Sequence, residues 1–131
     1  MVAPDIRIKR IYDPAEPDDG LRVLVTTYWP RGVSKQAVPR WERNLGVPAI
    51  TLRPWLDGNL TAAEFERQYR QYLSTSGPAQ AAMRFLLTDQ AGRITLLTSL
   101  KELQRSHLPF LKAALLEMAD GSTFSATSPA H

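Results

Sequence analysis

The chain has 131 residues, enough for one buried core and too few for two. Its composition, 44% apolar and 22% charged, is ordinary for a globular protein, and the absence of cysteine excludes disulfides, thiolate metal sites and cysteine nucleophiles together. No apolar run approaches the ~20 residues a membrane span needs, and Met1-Val2-Ala3-Pro4-Asp5 lacks a secretory layout. A cytoplasmic location with no membrane partner is therefore expected.

The net charge of +3 is unevenly distributed. Residues 1–20 sum to −2, residues 21–112 to +7 and residues 113–131 to −2. Most of the sixteen bases are arginine, the side chain suited to bidentate contact with phosphate or carboxylate. An anionic partner fits that pattern; so does a solvated surface that simply uses arginine.

In chain order, Ile6-Arg7-Ile8-Lys9-Arg10-Ile11 alternates apolar and basic residues, the period of a half-buried strand. Tyr12–Gly20 reads as an acidic loop broken by Pro14, Pro17 and Asp19-Gly20. Leu21–Thr27 is apolar and β-branched, as in an interior strand. Ser34 is placed to cap a short helix toward Val38, with a further turn between Trp41 and Leu45.

Thr61-Ala62-Ala63-Glu64 is a capping-box pattern, and the helix it opens aligns Phe65, Tyr69, Tyr72 and Leu73 on one face. Glu66 and Arg70 stand at a favourable i, i+4 spacing. Gly77-Pro78 begins a second helix with Ala79, Ala82, Met83 and Leu86 inward. Arg93–Thr98 reads as another buried strand, and Ser106 as the cap of a last helix with Pro109 in its first turn. A single domain over residues 1–119 with a disordered tail over 120–131 is expected. Strands alternating with helices predict an α/β fold: a small, mostly parallel, Rossmann-like sheet flanked by helices in a three-layer sandwich.

Parallel neighbours at 21–27 and 93–98 would open their C-terminal ends on one edge, where α/β proteins place ligand groups. Thr26, Thr27, Trp29 and Arg31 would then face Thr98, Ser99, Lys101 and Glu102. Hydroxyls, cations and an indole suit a phosphate, carboxylate or nucleobase. Alternatively, Trp29 and Pro30 plug the sheet edge and Arg31 pairs with an acid such as Glu102. Two histidines without cysteine make no convincing transition-metal site, so no metal is assigned, and no cofactor is implied. His107 on an apolar stripe reads as a hydrogen-bonded core residue. Asp13, Asp18 and Asp19 lack the EF-hand spacing and read as a solvated turn. There is no phosphate-binding glycine loop and no nucleophile elbow.

The segments Ile6–Gly20, Leu21–Ser34, Leu52-Arg53-Pro54-Trp55, Phe65–Tyr69 and Ile94–Lys101 together resemble the YeaO-like bacterial proteins, domain of unknown function 488. The IYDP…DDG…WPRG combination carries most of that likeness. The resemblance implies a Rossmann-like sheet with polar groups gathered at the ends of the two central strands, and no established activity. It also implies Asp-Arg where this chain has Thr26-Thr27, and Lys-Asp followed by a His-Asn pair where this chain has Lys101-Glu102 and Arg105-Ser106. His107 falls where some members carry a second histidine. Losing the Asp removes a general base or metal ligand, which threonine does not replace.

The leading expectation is an anion-binding protein for a nucleotide or phosphorylated metabolite, with Trp29, Arg31, Lys101, Arg105, Thr26 and Thr27 at the site. The alternative is a non-catalytic nucleic-acid or protein-binding module with an Arg-rich surface.

Overall fold

In the computed structural model, residues 4–38, 40–88 and 92–121 are described. The tail expected to be disordered lies, beyond residue 121, outside the described residues. The fold is centred on β4 (Arg93–Thr98), whose run from Ile94 to Thr98 is buried throughout. A strand covered on both faces needs side chains that shed water on both, and Ile94, Leu96 and Leu97 supply them. β4 pairs in parallel with β1 (Asp5–Arg10) on one side and with β2 (Leu21–Leu24) on the other. A two-residue strand β3 (Arg40–Trp41) extends β2, giving one parallel sheet in the order β1-β4-β2-β3. β1 lies at an edge, and its exposed Arg7 beside buried Ile6 explains its alternating sequence.

Four helices arise from local signals. α1 (Ala49–Leu56) starts after Pro48 and carries Pro54 in its last turn. α2 (Ala62–Thr75) is closed by the expected capping box: Thr61 Oγ1 accepts from the Glu64 N–H at 3.1 Å, and Glu64 accepts from the Thr61 N–H at 3.0 Å. Arg70 on this helix reaches Glu117 of α4 (Leu108–Ala119) at 2.9 Å, tying the two helices together. α3 (Gly77–Thr88) buries Ala79, Ala82, Met83 and Leu86. Ser106 accepts from the Leu108 N–H at 3.2 Å and so satisfies one donor at the start of α4. Ser34, by contrast, makes no side-chain cap, and the segment after it, Lys35–Ala37, is a 3-10 turn.

The buried faces of all four helices join Ile6, Val23, Val25, Ile94 and Leu96 in the larger core. Ile11, Leu24, Leu97 and Val38 form a smaller one on the opposite face, roofed by Trp29, Val33 and Trp41. The sandwich therefore has three layers, and the third is made of loops and 3-10 turns. Each fully covered Val or Leu of the sheet contributes about 1.5–3 kcal/mol. No helix among the described residues is long and apolar enough to cross a membrane.

The loop-covered face is fastened by a buried carboxylate. Asp19 accepts from Arg22 at 2.5 Å and from Lys9 at 3.1 Å, while the Asp19 carbonyl accepts from Thr95 at 2.6 Å. Lys9 also donates to the Pro14 carbonyl at 2.9 Å, so the acidic loop is drawn across β1, β4 and β2. Gly20, at φ 68, closes this loop against the Arg93 backbone, where a Cβ would collide with the Arg93 carbonyl. Burial alone would raise the Asp19 pKa; the Glu16 N–H, Arg22 and Lys9 outweigh it and bring it down to about 2. A depressed carboxylate stabilises the fold above its ordinary pKa of 3.8, and that stability is lost as pH falls toward 2. Asp19→Asn should lower the melting temperature at pH 7 and flatten the decline between pH 4 and 2, measured by denaturation across that range. Unchanged melting would mean that Asp19 does not hold the loop.

Candidate functional site

The sheet's C-terminal edge is where β2 and β4 run out side by side. The Val25 N–H still donates to the Leu97 carbonyl at 3.1 Å, and then the two chains part. Between them opens a hollow of about 130 Å³ lined by Thr26, Thr27, Tyr28, Val47, Leu52, Leu56, Thr98, Ser99, Leu100 and His107. A second hollow of about 130 Å³ adjoins it, lined by Trp55, Leu56, Leu100, Lys101, Glu102 and Arg105. Leu56 and Leu100 are common to both, so the two adjoin as one groove; the first is termed the inner compartment and the second the outer, and both are open to solvent, the first at Tyr28, Leu56 and Ser99.

The floor of the inner compartment is fixed through a chain of contacts that begins on α2. Tyr69, fully buried, donates to the Leu45 carbonyl at 2.5 Å, and Tyr72 donates to the Asn44 carbonyl at 2.6 Å. They seat residues 44–47 so that Gly46 lies flat against the Thr26–Thr27 backbone. Thr27 Oγ1 then donates to the Val47 carbonyl at 2.5 Å, Thr26 Oγ1 to the Tyr28 carbonyl at 2.7 Å, and Trp41 Nε1 to the Thr26 carbonyl at 2.8 Å.

His107 stands at the start of α4, buried, with Nε2 2.5 Å from the Val25 carbonyl and its ring edge-on to Tyr69 at 5.2 Å. A carbonyl only accepts, so Nε2 carries the hydrogen and Nδ1 presents a lone pair. Burial lowers the His107 pKa to about 4 against the opposing pull of the Val25 carbonyl, so the ring is neutral near pH 7. The sequence expectation of a hydrogen-bonded core histidine describes this position, and the same ring also lines the groove.

In the outer compartment, Trp55 stacks on Phe65 at 4.4 Å and donates through Nε1 to the Arg105 carbonyl at 3.1 Å. The Arg105 guanidinium lies 5.2 Å from the Trp55 ring, an arginine–indole contact. Lys101, Glu102 and Arg105 are exposed, and among the described residues no carboxylate is within ion-pair distance of either cation.

Four of the six site residues expected from sequence, Thr26, Thr27, Lys101 and Arg105, therefore line the groove. The other two do not. Trp29 packs edge-on against Trp41 at 5.1 Å, donates to the Val33 carbonyl at 2.7 Å, and roofs the smaller core. Arg31 is exposed in the turn beyond it, where its carbonyl accepts from Tyr12 at 3.2 Å. No pair between Arg31 and Glu102 is present among the described residues. The reason is the backbone: after Thr27 the chain turns toward the loop-covered face and carries the indole with it. Val47, Leu52, Trp55, Leu56 and Leu100 are residues the sequence reading did not place here; three of them sit on α1, which follows Pro48 and carries Pro54 within it, and so gives no clear helical signal.

Glu16, Asp18 and Asp19 form an acidic group within 4.8 Å on the loop-covered face. Asp19 is already matched by Arg22 and Lys9, and no ion site is assigned there.

A family model described as the inactive DUF488-N3 subclade matches residues 5–130. The uncharacterised protein YeaO of Escherichia coli (strain K12) is 35% identical over 106 residues, covering 79% of this chain and 90% of that protein. The uncharacterised protein Rv3073c of Mycobacterium tuberculosis (strain ATCC 25618 / H37Rv) is 35% identical over 115 residues, covering 84% of this chain and 92% of its own. The uncharacterised protein Mb3100c of Mycobacterium bovis gives the same figures. No solved structure matches the chain.

Two outcomes check this geometry. Gly46→Ala would drive a Cβ into the Thr27 nitrogen and the Thr26 carbonyl carbon, and should cost about 1–3 kcal/mol in denaturant unfolding. A neutral Gly46→Ala would refute the close approach. Because the His107 pKa is lowered on folding, stability should be full above pH 6.5 and fall as pH drops toward 4. His107→Gln should remove that part of the profile; an unaltered profile would show that His107 is not held neutral.

Proposed function

The chain belongs to the YeaO-like DUF488 family, and from that premise we propose that it is a non-catalytic binding protein for a small anionic molecule. The observation that carries this reading is that Lys101 and Arg105 both line a groove at the sheet's C-terminal edge, without a carboxylate among the described residues within ion-pair distance of either. Glu102 lines the same compartment, which leaves it one positive charge in excess. An exposed guanidinium and ammonium suit a phosphate or carboxylate head, and the Trp55 face beside them supplies an apolar wall.

The absence of chemistry is argued from what the groove residues already do. The Thr26 and Thr27 hydroxyls spend their hydrogens on backbone carbonyls, so neither faces a base that would activate it. His107 keeps its proton on Nε2 and is committed to Val25. The description of the matching subclade as inactive supports the same reading.

The nucleic-acid alternative draws less support. Arg22, Arg40, Arg70 and Arg93, four of the thirteen bases in residues 21–112, lie within ion-pair distance of a carboxylate, so part of the basic stretch is neutralised in place.

A thermal-shift titration with inorganic phosphate, ribose 5-phosphate and AMP at low salt tests the proposal. At ten times Kd a ligand should add about 1.4 kcal/mol, raising the melting temperature by roughly 3–6 °C. The double variant Lys101→Ala/Arg105→Ala should lose the shift and keep its own melting temperature. No shift with any of the three, or an equal shift in the double variant, overturns the reading.

A further inference from the structure

The two compartments differ in what they can hydrogen-bond. In the inner one, Thr26 Oγ1 and Thr27 Oγ1 have given their hydrogens to the Tyr28 and Val47 carbonyls, so each offers only lone pairs. His107 Nε2 is engaged with Val25, so the ring offers a lone pair at Nδ1, for which no partner is present among the described residues. Thr98 Oγ1 accepts from the Leu100 N–H at 3.3 Å and retains a hydrogen to donate. The Tyr28 and Ser99 hydroxyls line the same hollow and can donate or accept, so what distinguishes it is its three fixed acceptors, Thr26 Oγ1, Thr27 Oγ1 and His107 Nδ1, which call for a ligand group that donates.

Two classes of donor remain, an ammonium and a hydroxyl. The described residues lining this compartment include no carboxylate, so an ammonium there would lose part of its hydration against the leucines without gaining a counter-charge. A hydroxyl carries no such cost. Val47, Leu52, Leu56 and Leu100 supply apolar walls for the carbons that bear it. Size narrows the class further. A cavity of about 150 Å³ holds a benzene ring, so a compartment of about 130 Å³ takes roughly six heavy atoms or fewer. A purine nucleoside would project from it past the exposed Tyr28 and Ser99.

Resting on the reading of the outer compartment as an anion site, we infer that the inner compartment recognises a hydroxyl-bearing carbon segment through His107 Nδ1 and the threonine oxygens, so that the ligand is a small polyol carrying one anionic head. The head lies between Lys101 and Arg105 and the hydroxylated segment passes between Leu56 and Leu100. The arrangement separates charge recognition from hydroxyl recognition, and either part of a ligand can be changed without the other.

Calorimetric titration of the full chain with inorganic phosphate, n-propyl phosphate, glycerol 3-phosphate and glycerol resolves the two. Glycerol 3-phosphate and n-propyl phosphate share a head and a chain length and differ in hydroxyls. The expected result is about tenfold tighter binding of glycerol 3-phosphate, the worth of one or two added hydrogen bonds. His107→Gln keeps a donor for the Val25 carbonyl and moves the acceptor off the Nδ1 position, since its amide oxygen branches from the same carbon as the donating nitrogen. It should bring the two phosphates to equal affinity while leaving n-propyl phosphate unchanged. Thr26→Val, at a half-buried position, should narrow the ratio without relying on the histidine variant folding. Equal affinities in the parent chain overturn the inference and leave the anion reading intact. Glycerol binding as tightly as its phosphate overturns the anion reading instead, and no binding by any phosphate overturns both.

Discussion

Everything at the functional edge depends on β4 being hydrogen-bonded on both sides to parallel neighbours. Leu21 pairs with Ile94 and Asp5 with Arg93, so three strands begin level and run in one direction. Parallel pairing puts the last residues of β2 and β4 at the same rim, and the two chains must separate there to continue. The groove is the space left by that separation. Its residues are drawn from four places in the chain, after β2, before α1, along α1 and after β4.

The rim is supported differently on its two sides. Toward the helices, tyrosine hydroxyls from α2 grip the carbonyls of Asn44 and Leu45, and a glycine transmits that grip to Thr26 and Thr27. Toward the loops, the Trp29–Trp41 contact and the Trp41 hydrogen bond to the Thr26 carbonyl hold the same two threonines from behind. The threonines are thus fixed by packing on both faces. Their side chains face the groove with hydrogens already assigned, so the polarity of the interior is set before any ligand arrives.

The elements legible in the sequence were those whose local signal and tertiary role agree. The Thr61–Glu64 box, the Phe65–Tyr69–Leu73 stripe and the continuous apolar run of β4 each state in one segment what the fold then uses. β3 and α1 were not legible because β3 is two residues long and α1 lies between prolines; only their partners define them. At the site, Thr26, Thr27, Lys101 and Arg105 were reachable from the parallel-strand argument, since position at a strand end is enough. Trp29 and Arg31 obeyed the same argument only as far as Thr27, because the path of a turn is decided by what it packs against. Trp55 is a core residue that also lines the groove, and a local sequence pattern does not distinguish those two positions.

The three tryptophans fall into two optically separate sets. Trp29 and Trp41 form a contacting pair on the loop-covered side of the sheet, while Trp55, stacked on Phe65 with the Arg105 guanidinium over its ring, stands on the helical side and lines the groove. Emission from the pair reports the state of the loop layer, and emission from the lone indole reports the surroundings of Lys101 and Arg105. A phenylalanine in place of Trp55 separates the two signals, so the molecule carries its own fluorescent probe of each face.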